Sequence, residues 1–350
     1  MSLVAPYQAL ALQTTCHAVN RCDAVAATRA RMLANIERVH RQVLGAKAFI
    51  GADLKLVVVP EYFLTGYPLG ESVSGWAAKA AIAPDGPEYQ RLGDLCRDAG
   101  VYLSGNAYEL DAHFPGLYFQ TSFIIDDQGR CILRYRRLVS MFAPTPHDLW
   151  DRYLEIYGLD GVFPVADTPL GRLACVASEE ILYPEIARSL ALRGAEVLLH
   201  SSSEVSSPRL TPKDIAKRAR AFENGCWLVS ANSAGIREVD IPGDSVDGLS
   251  KVVDFAGEVR AEAGQGETMV AHASIDIAAS RRARQRPGMG NMLSRQRLEL
   301  FAATYAGSVY PPNTMLDGAG QPLVPERAHF MATQRRSLEL LNSRGVLASE

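Results

Sequence analysis

The stretch Leu173-Ala-Cys-Val-Ala-Ser178-Glu-Glu-Ile-Leu-Tyr-Pro184-Glu185 passes from an apolar run into a polar cluster and then into a proline-led segment. A continuous apolar run of this kind is typical of a strand that is buried on both faces. Proline is well tolerated in the first turn of a helix, where its missing N–H has no partner to lose. The stretch therefore predicts a strand, a turn and a helix, with Ser178 at the carboxyl end of the strand.

Two earlier stretches also place charged residues after a strand-like run. They are Leu56-Val-Val-Val-Pro60-Glu61 and Cys131-Ile-Leu-Arg-Tyr-Arg-Arg137. Sites in α/β sheets form at the carboxyl ends of strands. We therefore expect Glu61, Arg137 and Ser178 to converge in one cleft.

Composition excludes several classes of protein. Of the 350 residues, 47% are hydrophobic and 21% charged, as in an ordinary globular protein with a large core. The net charge of -3 gives no electrostatic reason to expect nucleic acid or a membrane surface as a partner. The six cysteines are scattered without a Cys-x-x-Cys pair, which favours a reducing compartment over disulfides or zinc. With no visible signal peptide or membrane span, we expect a cytoplasmic protein.

Strands and helices alternate along the chain. Apolar or β-branched runs predict strands over residues 5–13, 54–59, 101–109, 118–125, 130–135, 173–177, 196–200 and 227–231, and three more between 252 and 276. Apolar spacing and capping residues predict helices over residues 25–48, 87–99, 184–193 and 211–224, with a last helix around 326–342. Thr211 is the predicted N-cap of the fourth helix.

No glycine-, serine- or proline-rich linker divides residues 5–277, whereas arginines and a proline- and glycine-rich stretch follow residue 279. We predict one domain over residues 5–301. Residues 302–350 are predicted to form a C-terminal arm that packs on this domain or on a partner subunit.

Five motifs in order resemble the signature of the nitrilase superfamily, the carbon–nitrogen hydrolases. They are Val59-Pro-Glu61-Tyr-Phe-Leu-Thr-Gly66-Tyr67; Tyr135-Arg136-Arg137; residues 171–194; Arg220-Ala-Phe-Glu223-Asn224 with Ala231-Asn232-Ser-Ala-Gly235; and Asp247-Gly-Leu-Ser250-Lys-Val-Val-Asp254 with Gly257. The resemblance covers residues 5–301. It implies an α/β fold, the four-layer α-β-β-α sandwich of the nitrilase type, here with a C-terminal extension.

The resemblance also implies a catalytic site of glutamate, lysine and cysteine in that order along the chain. It places Glu61, Arg137 and Ser178 at these positions, so two of the three differ in type from the family pattern. Counting back from Pro184 aligns Ser178 with the family cysteine. Cys175 falls too early, and strand alternation points its thiol into the sheet packing.

These two differences change the expected chemistry. A cysteine thiol, with a pKa of about 8.5, is partly ionised near neutral pH, whereas a serine hydroxyl needs a strong and well-oriented base. The forked guanidinium of Arg137 is expected to clamp Glu61 in a bidentate pair and to lower its basicity. Glu179, at a position that is usually aromatic in the family, is predicted to contact the substrate and to oppose an oxyanion beside it. Glu180 fits either the family's acidic position or simple complementarity to a helix dipole.

Three functions remain open at this point. The favoured hypothesis is a carbon–nitrogen hydrolase-like protein that lacks the usual thiol-dependent amidase or nitrilase activity and keeps a small-molecule pocket. The alternative is an active amide or nitrile hydrolase in which Ser178 is the nucleophile and Glu61 the base. The third, a cation site formed by Glu61, Glu179 and Glu180, is disfavoured by the adjacent Arg137.

The family resemblance also sets expectations about partners. Neither a metal nor a cofactor is expected, and the predicted ligand is a small amide, nitrile or related molecule. Because family members pair sandwich to sandwich, we expect a homodimer or a larger homo-oligomer.

Overall fold

The computed structural model describes residues 4–205 and 207–347. Its strands are Tyr7–Ala11 (β1), Cys16–His17 (β2), Leu54–Val58 (β3), Tyr102–Leu110 (β4), Tyr118–Ile125 (β5), Cys131–Arg136 (β6), Ala166–Thr168 (β7), Gly171–Ala177 (β8), Val197–Ser201 (β9), Trp227–Ala231 (β10), Ile236–Arg237 (β11), Lys251–Val253 (β12), Val259–Glu262 (β13) and His272–Ile275 (β14). Its α-helices are Val25–Ile50 (α1), Val73–Ala80 (α2), Pro87–Ala99 (α3), Trp150–Tyr157 (α4), Pro184–Leu192 (α5), Pro212–Asn224 (α6), Ile277–Gln285 (α7), Glu299–Tyr305 (α8) and Arg327–Ser343 (α9).

Two six-stranded sheets of related topology form the β-layers. The first has the strand order β14-β1-β3-β4-β5-β6, and the second has the order β13-β12-β10-β9-β8-β7. Strands β1, β3 and β4 are parallel in the first sheet, and β8, β9 and β10 are parallel in the second. The backbone N–H of Glu61 donates to Ser202 O at 3.2 Å, so the carboxyl ends of β3 and β9 meet.

The apolar run of β3 shows why the sheets stack in this way. Leu56 and Val58 belong to the core between the two sheets, which also contains Cys175 of β8. Val57 belongs to the second core, which contains Met32 of α1. Since successive strand residues point to opposite faces, a strand that is covered on both sides must be apolar throughout.

Helices cover the outer faces of both sheets. Helices α1 and α3 contribute to the core outside the first sheet, and α5 and α6 contribute to the core that includes the second. The structure therefore confirms the predicted α/β fold, with helix, sheet, sheet and helix as its four layers.

Most predicted elements of the sandwich are present. Helix α3 and strand β10 have the bounds expected from the sequence. Thr211 caps α6 as predicted, because its hydroxyl accepts a hydrogen bond from Asp214 N at 3.1 Å. Helices α2 and α4 were not predicted, since eight residues make little more than two turns and show no clear apolar period.

The chain after residue 301 contacts the sandwich at several points. Met315 N donates to Asp148 O at 2.9 Å. The rings of Phe142 and Phe330 lie 6.4 Å apart, and the Tyr305 hydroxyl donates to Glu185 Oε1 at 2.8 Å. The proposed domain boundary at residue 301 stays a prediction. None of the described helices is both long and apolar enough to cross a bilayer.

Candidate functional site

The three residues singled out by the sequence each follow a strand. Glu61 comes after β3, Arg137 after β6, and Ser178 directly after β8. All three are buried, with exposed fractions of 1%, 7% and 4% in that order. Polar groups this deeply buried need partners, and the partners define what the site can do.

Arg137 lies between two carboxylates. Its Nη1 is 3.4 Å from Glu61 Oε1, and its Nη2 forms an ion pair with Glu179. Its Nε donates to Val139 O at 2.7 Å. Burial alone would lower the pKa of Arg137, but the charges of Glu61 and Glu179 raise it, so the guanidinium stays ionised.

Gln120 joins Arg137, Glu61 and Glu179 in a group that we call the Arg137 cluster, and it was not predicted from the sequence. Its Oε1 accepts a hydrogen bond from Arg137 Nη1 at 2.7 Å, while its Nε2 donates to Glu61 Oε1. The only indication in the sequence was that the amide side chain of Gln120 lies within β5, a strand predicted to be buried. In the described part of the chain, no donor reaches Glu61 Oε2 with hydrogen-bond geometry.

Ser178 is held by a different set of groups. Its backbone has φ of 45°, a left-handed conformation that is strained for any residue with a Cβ and common at functional sites. Lys213 Nζ, near the start of α6, donates to Ser178 Oγ at 3.1 Å. Among the described residues, no hydrogen bond joins this hydroxyl to Glu61 or Arg137. The structure thus joins Glu61, Arg137 and Glu179 directly, and pairs Ser178 with Lys213.

His200 supports the backbone of Ser178. Its Nε2 lies 2.8 Å from Ser178 O, and its Nδ1 lies 2.8 Å from Ser230 Oγ. A carbonyl can only accept, so Nε2 carries the proton and Nδ1 accepts from the serine hydroxyl. Burial, followed by the charge of Lys217, holds the pKa of His200 well below its ordinary value. This histidine is therefore a neutral, satisfied core group.

Glu180 anchors the segment that carries Arg137. Its carboxylate accepts hydrogen bonds from Tyr135 Oη at 2.7 Å, Leu138 N at 2.7 Å and Val139 N at 2.9 Å. Burial raises the pKa of Glu180 to about 7, although the charge of Arg137 and these hydrogen bonds oppose the rise. The side chain positions the backbone after β6 and does not open to solvent.

Cys175 is a core thiol, as strand alternation indicated. It is fully buried between the sheets, where its Sγ lies 3.6 Å from Ser104 Oγ. Burial raises the pKa of this thiol to about 12, far from the range of a reactive cysteine.

The cation hypothesis finds no support in the geometry. Within residues 4–205 and 207–347, no group of three or more acidic, histidine or cysteine side chains could hold a metal ion. Glu61 and Glu179 are both engaged by Arg137, and Glu180 faces backbone and phenol donors.

A cavity of about 1030 Å³ opens beside the Arg137 cluster. Six aromatic side chains contribute to its walls, polar groups of the cluster form part of its lining, and residues after 323 also contribute. The lining includes Tyr62, Tyr67, Tyr108, Tyr118, Gln120, Arg137, Phe142, Glu179, Arg327 and Phe330. Glu179 and Arg137 thus face the cavity, whereas Ser178 is not among its described lining residues.

Comparison with known proteins gives one family for most of the chain. The family model described as carbon-nitrogen hydrolase matches residues 12–285. The solved structure of Saccharomyces cerevisiae Nit3, a member of branch 10 of the nitrilase superfamily, has a TM-score of 0.62 at 20% identity. The match covers 83% of this chain and 98% of the Nit3 chain. At this identity the likeness shows the fold alone.

Two curated relatives are similar in sequence. "Hydrolase in pqqF 5'region" of Pseudomonas protegens is 32% identical over 204 residues, which are 58% of this chain and 65% of that protein. The match therefore spans just under two thirds of the length of this relative. A formamidase of Pseudomonas syringae pv. tomato is 27% identical over 313 residues, which are 89% of this chain and 86% of the formamidase.

Proposed function

Because this chain belongs to the carbon–nitrogen hydrolase family, we propose that it keeps a pocket for small amides and has lost the thiol-dependent hydrolysis. On this proposal Glu61, Arg137 and Ser178 occupy the positions of the family's glutamate, lysine and cysteine. The relatives named as a formamidase and a hydrolase support amide-like ligands as the class to test.

The Arg137 cluster is the observation that carries this proposal. A general base must have its carboxylate free to accept the proton of the nucleophile. Here Glu61 Oε1 already accepts hydrogen bonds from Arg137 and Gln120, so this oxygen is occupied. The hydrogen-bond partner of the Ser178 hydroxyl is Lys213 and not this carboxylate.

The serine at the nucleophile position also disfavours amide hydrolysis. A thiol ionises within a few pH units of neutrality, whereas a serine hydroxyl attacks only when a base removes its proton. Glu61 Oε1 cannot serve as that base without first leaving Arg137 and Gln120. The missing thiol, together with a carboxylate that contacts Arg137 and not Ser178, supports the absence of ordinary amide turnover.

The cavity supports the retention of ligand binding. At about 1030 Å³ it is far larger than formamide, and its tyrosine and phenylalanine walls suit a flat apolar body. Gln120, Arg137 and Glu179 supply donors and acceptors at one side, where an amide group could hydrogen-bond. We therefore propose an aromatic amide, such as benzamide, as a better ligand than formamide.

Calorimetry combined with an ammonia-release assay tests this function. We expect benzamide to bind the unmodified protein more tightly than formamide, and no release of ammonia from either amide. Tyr118→Ala, which removes an aromatic wall, should weaken benzamide binding. Turnover of these amides that depends on Glu61 and Ser178 would contradict the proposal and favour the alternative serine hydrolase.

The alternative uses Ser178 as the nucleophile and Glu61 as its base. It would need a hydrogen bond from Ser178 Oγ to Glu61, and the contact made by that hydroxyl is with Lys213 instead. The geometry therefore favours loss of amide turnover over a Glu61-dependent serine amidase.

A further inference from the structure

Ser178 and Lys213 form a pair that the Arg137 cluster does not include. Lys213 Nζ lies 3.1 Å from Ser178 Oγ, within the distance over which a proton passes between nitrogen and oxygen. We propose that Lys213 is the proton acceptor for Ser178, and that the pair accepts acyl groups from small activated esters. This inference goes beyond the proposed function and does not rest on amide binding.

The carboxylates close to Lys213 are occupied by other cations. Glu204 accepts from Lys217 Nζ at 2.6 Å, and Asp214 forms an ion pair with Lys251. The other polar contact of Lys213 Nζ is Ser203 O at 3.3 Å, and in the described part of the chain this amine forms no ion pair.

The surroundings of Lys213 leave Ser178 Oγ as its side-chain hydrogen-bond partner in the described part of the chain. Lys213 is partly buried, with the cation Lys217 one turn along α6 and the neutral His200 beneath Ser178. Arg137 and Glu179 form an ion pair with each other and not with Lys213.

The backbone at Ser178 places its hydroxyl beside Lys213. The left-handed φ of 45° turns the chain sharply at the end of β8. The hydrogen bond from His200 Nε2 to Ser178 O stabilises that turn. A conformation of this kind persists only where surrounding contacts hold it, and it is a frequent feature of functional sites.

The acylation step balances without any further reagent. The neutral amine of Lys213 takes the proton of Ser178 Oγ as Oγ bonds to the ester carbonyl carbon and the π pair moves to the carbonyl oxygen. Collapse of this intermediate breaks the bond to the alcohol oxygen, and Lys213 returns the proton to the leaving alkoxide. The products are an alcohol and an acyl group in ester linkage to Ser178.

Release of the acyl group repeats the same proton transfers with water. Lys213 takes a proton from water as the hydroxide oxygen bonds to the acyl carbon. The bond to Oγ then breaks, and Ser178 recovers its proton from Lys213. The net reaction converts one ester and one water into one acid and one alcohol.

Acylation by p-nitrophenyl acetate tests the pair directly. Release of p-nitrophenol gives the rate, and peptide mass spectrometry after an acid quench locates the acetyl group. We expect an acetyl group on Ser178 of the unmodified protein, and a rate that rises with pH because only the neutral amine accepts a proton. Lys213→Met should slow the labelling about a hundredfold or more.

Three variants test whether labelling of Ser178 requires Lys213 as a base. Lys213→Arg keeps the positive charge but cannot act as a base, so it should also lose labelling and the rise with pH. Lys55→Met makes the same change at an exposed lysine on β3 and should label at the unmodified rate. Ser178→Ala should lose the label, which shows that the acetyl group is attached to this hydroxyl.

Circular dichroism establishes that each variant is folded, and Lys213→Arg is the reference if Lys213→Met unfolds. No acetyl group on Ser178 of the unmodified protein would overturn the inference. So would labelling of Ser178 that proceeds at the unmodified rate in Lys213→Arg. Because the readout is a covalent label and not amide binding, its failure leaves the proposed function intact.

Discussion

Arg137 holds Glu61 by one arm of its guanidinium, with Nη1 3.4 Å from Glu61 Oε1. The other arm goes to Glu179, so the bidentate pair with Glu61 expected from the sequence is replaced by a bridge between two carboxylates. A single cation thus contacts both acids, so the three side chains together keep a net negative charge. Chemistry that needs Glu61 Oε1 as a base requires this bridge to open.

The bridge predicts how hydrolysis could be restored. Ser178→Cys combined with Arg137→Lys should give measurable release of ammonia from simple amides, because it supplies a thiol and a compact cation together. Ser178→Cys alone should be about a hundredfold less active or worse, since Arg137 still engages Glu61. We expect only partial recovery in the double variant, because Glu179 keeps a negative charge near the developing oxyanion.

Ammonia release by the two single variants, the double variant and the unmodified protein makes this comparison. Equal activity of Ser178→Cys with and without Arg137→Lys would show that the bridge does not restrain Glu61.

The same bridge predicts a large effect on stability. Arg137→Met removes the cation and leaves Glu61 buried without a charged partner, which should lower the free energy of unfolding by about 3–5 kcal/mol. The loss should be smaller when Glu61→Gln is present as well, because no buried charge then remains. Urea unfolding of the two single variants and the double variant gives the coupling. Strictly additive losses would contradict a direct interaction between the two side chains.

The sequence was sufficient for much of the fold because burial leaves a clear pattern. The continuous apolar runs of β3 and β8 required cover on both faces, and that requirement leads to two stacked sheets. Short helices such as α2 and α4 carry too few residues for an apolar period to be read.

The site was predictable only where a motif fixed it. Glu61, Arg137 and Ser178 each follow a strand within a motif, so their positions could be read from the chain. Lys213 could not, because it reaches Ser178 from α6, 35 residues away in sequence. Thr211 as an N-cap predicted the start of this helix, but an N-cap does not predict which residues the first turn contacts.

Glu180 predicts a specific dependence of stability on pH. Burial raises its pKa from 4.5 to about 7 in the folded protein, so the fold binds this proton more tightly than the unfolded chain does. Its contribution to stability is therefore largest below pH 4.5 and declines as the pH rises to about 7. The total change should be about 3 kcal/mol.

The free energy of unfolding of the unmodified protein, compared with that of Glu180→Gln across this pH range, isolates the effect. Glutamine does not ionise, so its cost at this position is constant and only the slope of the difference is informative. A difference that grows with pH in favour of the unmodified protein would mean that the hydrogen bonds to the carboxylate outweigh its burial.

Assembly is the last prediction, and exposed apolar side chains on α6 indicate where it occurs. Ile215 and Phe222 lie seven residues apart on one face of this helix and are 55% and 50% exposed. Large apolar side chains grouped on one surface favour a protein contact.

We expect a homodimer, with twice the mass of one chain in light scattering at micromolar concentration. Ile215→Asp with Phe222→Asp should give monomers, because burying two carboxylates opposes the contact. Phe49→Asp, at an apolar side chain that is 77% exposed near the end of α1, should leave the dimer unchanged. A monomeric unmodified protein would exclude the dimer, and dissociation by Phe49→Asp alone would place the contact on another face.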